Sequence, residues 1–287
     1  IMKDYDVLIL GVNGMLGSTM MQFFKQQNKF TTCGTIRNEI LSDKIRCFEQ
    51  DIFQNVIAED STLLENLLIS KKPKFIINCI GIIKQLDASN DASLSININS
   101  IFPHRLAFLC KKHGVRLIHI STDCVFNGAK GMYVENDMPD AEDLYGKTKF
   151  LGEVTYDHCV TLRTSIIGHE TSSSHSLLEW FLKQDGEVNG YQKAIFSGFP
   201  TIELSKIIHD IVLCEPSLSG LYHVSSEPIN KYDLLKLFSE TYSKEIKINA
   251  DQGLIINRSL DSTKFRNITG FEPSSWKSMI KKMREFG

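Results

Sequence analysis

Charge of one sign is the first thing this sequence lacks: 32 basic residues stand against 34 acidic ones, a formal net charge of -2. With no long Lys/Arg run either, the electrostatic footprint of a nucleic-acid binder is absent and a small-molecule ligand is expected. Paired cysteines are also missing. Cys33, Cys47, Cys79, Cys110, Cys124, Cys159 and Cys214 are odd in number, scattered and never spaced C-x-x-C, which argues against a zinc site or a disulfide framework and for a reducing compartment. Long apolar runs are missing too. Val7 to Leu10 ends at Gly11, so neither a signal peptide nor a membrane span is expected and the cytoplasm is the expected location. Met2 reads as the natural start, with Ile1 an appendage outside the fold. There is no internal repeat and no low-complexity segment.

What is present is enough for a sizeable core. A chain of 287 residues, 42% hydrophobic and 23% charged, suits one large domain or two unequal ones. The first half alternates short β-branched runs with helical patterns: Asp6 to Leu10, Met15 to Gln27, then Phe30 to Ile36. That alternation predicts parallel βαβ units. Further buried-strand runs lie at Phe75-Ile76-Ile77, Val115 to Ile120 and Val160-Thr161-Leu162, and Pro73 stops the helix ending near Ser70 from entering the next strand. The expected fold is α/β, a doubly wound parallel sheet of Rossmann type. Residues 2–167 would form the dinucleotide domain. Residues 168–287 would form mostly a smaller substrate-binding lobe, with irregular helices at Ile202 to Leu213 and Tyr232 to Ser243 and some segments returning to the first domain.

Four segments carry chemistry. Gly11-Val12-Asn13-Gly14-Met15-Leu16-Gly17 follows the first strand and opens the first helix. Glycines there let the backbone turn sharply and approach a pyrophosphate held by free N–H groups at the helix N-terminus. The spacing is G-x-x-G-x-x-G rather than G-x-G-x-x-G, and a plain tight turn would carry the same glycines. The second strand runs into Arg37, where an NAD site would place an acidic residue for the ribose 2'-hydroxyl. Arg37 suits the 2'-phosphate of NADP instead, through a charge-assisted contact; a solvated surface arginine is the alternative.

Tyr145 and Lys149 are four residues apart and share a helical face. An ammonium beside the phenol would lower its pKa from near 10 and make it a usable acid, although an exposed helix face would show the same spacing. Ser121-Thr122-Asp123-Cys124 closes the Val115 strand, where the crevice of a doubly wound sheet lies. Thr122 can bond a substrate carbonyl or cap a turn. His119 reads as a satisfied core histidine and Cys124 as packing.

Together these segments resemble the extended short-chain dehydrogenase/reductases, and most closely the dTDP-4-dehydrorhamnose reductase family. Ser121 to Gly128 matches the family's Ser-Thr-Asp-Tyr-Val-Phe-Asp-Gly, departing at Cys124 and Asn127. Tyr145, Gly146, Lys149, Gly152 and Glu153 match its Tyr-Gly-x-x-Lys-x-x-Gly-Glu, and Leu162-Arg163-Thr164 follows in place. Arg258 to Lys264 and Trp276 extend the likeness almost to the chain's end.

The resemblance implies roles. Tyr145 would protonate the developing alkoxide, Lys149 would lower its pKa and hold the nicotinamide ribose, and Thr122 would polarise the carbonyl with Asp123 beside it. NADP(H) would lie along Gly11, Asn13, Gly14, Met15, Leu16, Gly17 and Arg37, with Asp51 and Ile52 bordering the adenine and Cys79-Ile80-Gly81 passing the adenosine and ribose. Asn99 would brace the active-site helix or simply fill a helix face. The implied reaction is NADPH-dependent reduction of the C4 keto group of a nucleotide-linked 4-keto-6-deoxy sugar in deoxysugar biosynthesis, without epimerisation. No metal, nucleic acid or membrane partner is expected, and a homodimer is one allowed assembly. The rival sugar is a UDP-linked 2-acetamido-2,6-dideoxy-hexulose; the rival of another class is an NADP-binding regulatory subunit similar to that of methionine adenosyltransferase. Asp140-Ala141-Glu142-Asp143 stands where the family has Pro-Leu-Asn, which leaves nucleotide and sugar open.

Overall fold

A computed structural model describes residues 4–83, 91–170 and 176–287; Ile1 and Met2 lie outside them. In chain order the first half runs β1 Val7–Leu10, α1 Met15–Gln27, β2 Thr32–Thr35, β3 Ile52–Phe53, α2 Ser61–Lys71 and β4 Phe75–Asn78. It continues with α3 Ala92–Ser95, a π turn at Ile96–Ile101, α4 Phe102–His113, β5 Arg116–Thr122, a 3-10 turn at Asp123–Val125, α5 Leu144–Leu151 and β6 Cys159–Thr164. Beyond these come β7 Ile166–Ile167, α6 Leu177–Leu182, β8 Glu187–Tyr191, β9 Ala194–Phe196, β10 Phe199–Pro200, α7 Thr201–Ile207 and β11 Gly220–His223. The chain ends with β12 Ile229–Asn230, α8 Lys231–Tyr242, β13 Lys247–Asp251, β14 Ile256–Asn257, α9 Thr263–Thr269 and α10 Trp276–Phe286.

Seven strands pair in the order β11-β6-β5-β4-β1-β2-β3, every pair parallel. Strand order reverses between β1 and β4, so their carboxyl ends flank the crevice where such sheets bind ligands. The continuous apolar run of β1 is explained by burial on both faces. Val7 and Ile9 join the core formed by Phe24 of α1, Leu204 of α7 and Met283 of α10, whereas Leu8 and Leu10 face Leu64 and Leu68 of α2 and Leu106 of α4. Local chemistry sets the helix ends. The Asp60 carboxylate accepts the Thr62 and Leu63 N–H groups at the start of α2, and Lys72 ends it in the left-handed region at φ 48°.

Residues beyond 168 contribute to the large sheet as well as standing beside it. β11 extends the sheet along β6, while β8 pairs with β13 and β9 lies between β12 and β14. No helix of the described residues is long and apolar enough to cross a membrane.

Candidate active site

At the end of β1 the backbone turns at Gly11, whose φ of +83° is strained for any residue with a side chain. The Gly14 N–H closes the turn on the Gly11 carbonyl at 3.1 Å. A Cβ on Gly17 would stand 2.3 Å from that same carbonyl, so glycine is what allows α1 to begin directly against the turn. Gly14 is the helix N-cap and has no capping side chain, which leaves the N–H groups around Met15 and Leu16 directed at the crevice. Asn13 clasps the next loop: its Nδ2 donates to the Ile40 carbonyl (2.7 Å) and its Oδ1 accepts the Ser42 N–H (3.1 Å). Arg37 stands between the end of β2 and that loop, exposed.

Asp51 is employed inside the fold. Its buried carboxylate takes the Lys25 ammonium at 2.5 Å and the Tyr5 hydroxyl at 2.6 Å, and Ile52 is buried opposite Gly34 in the β2–β3 pair. Cys79, Ile80 and Gly81 leave the end of β4, with the Ile80 side chain 3.1 Å from where a Cβ on Gly11 would be. These two strand ends therefore touch.

The side chains expected to carry the chemistry converge at the end of β5. Thr122 and Asp123 are nearly buried; the Thr122 hydroxyl donates to Asp123 Oδ1 at 3.3 Å and accepts the Cys124 N–H at 3.0 Å. Asp143 caps α5 by accepting the Gly146 N–H at 2.8 Å, and the helix turns Tyr145 and Lys149 inward. Burial drives the Tyr145 phenol above its ordinary value and the neighbouring Cys124 and Asp123 add to that, while its contact with the Thr122 hydroxyl opposes it. Lys149 is 6% exposed. Its Nζ donates to the Ile120 carbonyl at 2.8 Å, and burial brings its pKa down to about 8, with Glu153 working against that fall. The Asp123 carboxyl is pushed up to about 6 by burial although Arg258 and Lys231 oppose it. Burial likewise lifts the Cys124 thiol to about 12, which removes it as a base near neutrality.

Asn99 braces rather than merely fills. Its Oδ1 accepts the Ile82 N–H (2.8 Å), and its Nδ2 donates to the Ile82 carbonyl (3.1 Å) and the Thr148 hydroxyl (3.2 Å). The helix itself is seated by backbone: a Cβ on Gly146 would stand 2.3 Å from the Cys124 carbonyl, and one on Gly152 would meet the Asn99 carbonyl. His119 is core but only half satisfied. Its Nδ1 pairs with Asn78 at 3.1 Å while its buried Nε2 has no partner among the described residues, and burial with the Lys149 charge nearby keeps the ring neutral.

Sequence reasoning missed two cations and a network. The charges of Lys231, the first residue of α8, and of Arg258 both act to lower the pKa of Asp123; burial lowers the pKa of Lys231. Arg258 anchors itself by donating Nε to the Phe126 carbonyl at 2.7 Å. Nothing near Lys231 in sequence signals this. The network joins Glu153 and Arg163 in a bidentate pair, at 2.8 and 2.7 Å, with the Ser121 hydroxyl also on Glu153 at 2.7 Å.

The residues present fit a dinucleotide. Gly81 leaves open the space in which a Cβ would lie 3.8 Å from Lys149 Nζ and 3.5 Å from Asn99 Oδ1, so a ribose can approach the ammonium from that side. Among the described residues no group of His, Cys, Asp and Glu is arranged to hold a metal.

Known proteins share this plan. The profile of the family described as "RmlD substrate binding domain" matches residues 5–285. The dTDP-4-dehydrorhamnose reductase of Aggregatibacter actinomycetemcomitans is 25% identical, covering 98% of both chains. Methionine adenosyltransferase 2 subunit beta of Mus musculus is also 25% identical, over 96% of this chain and 89% of its own. A crystal structure of dTDP-4-dehydrorhamnose reductase from Bacillus anthracis in complex with NADP superposes with a TM-score of 0.76 at 20% identity, over 99% of this chain and all of that one.

Proposed function

This chain belongs to the RmlD substrate binding domain family of extended short-chain dehydrogenase/reductases, and from that premise we propose that it is an NADP(H)-dependent oxidoreductase reducing the C4 keto group of a nucleotide-linked 4-keto-6-deoxy sugar, a step of deoxysugar biosynthesis. The observation that carries the reading is the convergence of Thr122, Tyr145 and inward-turned Lys149 at the end of β5, with only β4 between it and the glycine turn of β1, across the point where strand order reverses.

When bound, NADPH supplies the hydride. The rest is done by the chain. The turn at Gly11 to Gly17 and the free N–H groups of α1 would hold the pyrophosphate, and exposed Arg37 would meet the 2'-phosphate. Lys149 would donate to the ribose, held on the Ile120 carbonyl so that it points into the space above Gly81. Thr122 would donate to the ketone oxygen. Tyr145, a neutral phenol because it is buried, would pass its proton to the same oxygen as it becomes an alkoxide, and the Lys149 ammonium would stabilise the phenolate left behind. Lys231 and Arg258, two cations against the single carboxyl of Asp123, favour an anionic substrate such as a nucleoside-diphosphate sugar.

The test is a panel of dTDP-, UDP- and GDP-linked 4-keto sugars, including the 2-acetamido-2,6-dideoxy form, offered with NADPH. Oxidation of NADPH with one of them is expected and identifies nucleotide and sugar. Binding of NADPH with no turnover on any, together with stable co-purification with a methionine adenosyltransferase catalytic chain, would instead support an NADP-binding regulatory subunit, the reading that the mouse relative favours.

A further inference from the structure

Lys149 has to be an ammonium to hold a ribose and to stabilise a phenolate, yet it is buried where a charge is costly. Its direct partner is the Ile120 carbonyl, a dipole and not an anion. Glu153, two residues past the end of α5, is brought to the same stretch of β5: Ser121, the residue after the lysine's Ile120 anchor, donates its hydroxyl to Glu153 Oε1 at 2.7 Å, and the Glu153 side chain is 5% exposed. Glu153 does not swing free. Arg163, 2% exposed, grips both of its oxygens, and the Ser121 hydroxyl adds a third hydrogen bond from the residue before Thr122.

We propose that Glu153 is a positioning residue, fixed by Arg163 and Ser121, whose buried carboxylate keeps Lys149 charged in the catalytic site. The proposal rests on the role of Lys149 given above. Other groups facing the lysine are neutral around pH 8, or constant there. Cys79, at the end of β4, is pushed up to about 12 by burial. His119 on β5 and Tyr145 on the lysine's own helix are both held neutral by burial. From the π turn at Ile96–Ile101 come only Asn99 and Ser100, neither of them titratable. The Asp123–Val125 turn brings Cys124, a neutral thiol, and Asp123, already ionised above about 6. Glu153 is thus the anion that works against burial to hold the Lys149 pKa at about 8, and Arg163 behind it tempers that effect.

The two halves of this ion pair should move Lys149 in opposite directions. In Glu153→Gln the favourable anion is lost, and the alkaline limb of both NADPH affinity and keto-sugar turnover should fall by about one pH unit or more. In Arg163→Gln the carboxylate is left without its counter-cation, and the same limb should rise. The proper readout is the pH dependence of NADPH binding to the full chain without sugar, by fluorescence quenching, because it stands even if no keto sugar is turned over. Lowered affinity or turnover with the limb unmoved in both variants would show a merely structural ion pair and overturn the proposal. Removing one partner of a buried pair is strongly destabilising, so either variant can fail to fold; the direction found in the other then decides. Glu153→Asp, which restores the charge, should bring the limb back towards the parent value.

Discussion

The two ends of the crevice are built on different plans. At the β5–α5 end, Thr122, Asp123 and Lys149 are buried side chains already held by protein atoms. At the β1–α1 end the parts proposed to bind are backbone N–H groups and an exposed Arg37. A proton donor needs a dry, fixed setting that tunes its acidity, whereas a phosphate needs donors that are free to receive it. One end should therefore fail in rate when altered, and the other in affinity.

Tyr145→Phe is the hardest blow to that contrast. It removes one oxygen from the buried end, so turnover should drop by roughly 10²- to 10⁴-fold while NADPH affinity stays nearly constant. Steady-state kinetics alongside fluorescence titration reads both, and a variant with full activity would return the regulatory-subunit reading to the front.

Acid should attack the buried end as well. The His223 Nδ1 faces the Tyr133 carbonyl at 2.8 Å and its Nε2 faces Arg163 Nη1 at 3.2 Å, an arrangement that needs the neutral ring; burial and then Arg163 push its pKa down to about 4. An unfolded imidazole titrates near 6.5, so below that pH the unfolded chain binds a proton that the fold refuses until about 4. Stability should be fully present above pH 6.5 and be lost as pH falls towards 4, by on the order of 3 kcal/mol. Urea unfolding at pH 7 and pH 4.5 checks this: the loss should be smaller in His223→Gln, and an equal loss would place the acid sensitivity elsewhere.

The open end should lose selectivity instead. Arg37→Asp exchanges an attraction for a repulsion at the 2'-phosphate, and the preference for NADPH over NADH should shrink by about 10- to 100-fold, as expected for a charge-assisted contact of roughly 1.5–3 kcal/mol. Equal affinity of the parent protein for both cofactors would show that Arg37 reads nothing. The smallest effect belongs to Asn13→Ala. Loosening the clasp to Ile40 and Ser42 should weaken NADPH binding about fivefold, the equivalent of about 1 kcal/mol, and leave turnover at saturating cofactor unchanged.

Much of this architecture was legible because it is local. Periodicity places α1 at Met15 to Gln27, the bounds observed, and four-residue spacing puts Tyr145 and Lys149 on one face. Partners brought from far along the chain were not legible. Asp51 meets Tyr5 and Lys25 across more than 25 residues of sequence, partners that no local pattern around Asp51 announces. Likewise Arg163 finds Glu153 and His223 only because β6 lies between β5 and β11. Lys231 and Arg258 act on the Asp123 charge from segments whose own patterns speak only of a helix start and a short strand.

The seating of α5 carries one more consequence. Gly146 and Gly152 rest on the Cys124 and Asn99 carbonyls, so the depth of the helix is set where main chain meets main chain. Side chains on its outer surface, such as Lys147 and Leu151, can drift over evolutionary time without shifting the tyrosine. A lineage can then remodel the loops that select a sugar while inheriting its proton chemistry intact, provided those two positions never acquire a side chain.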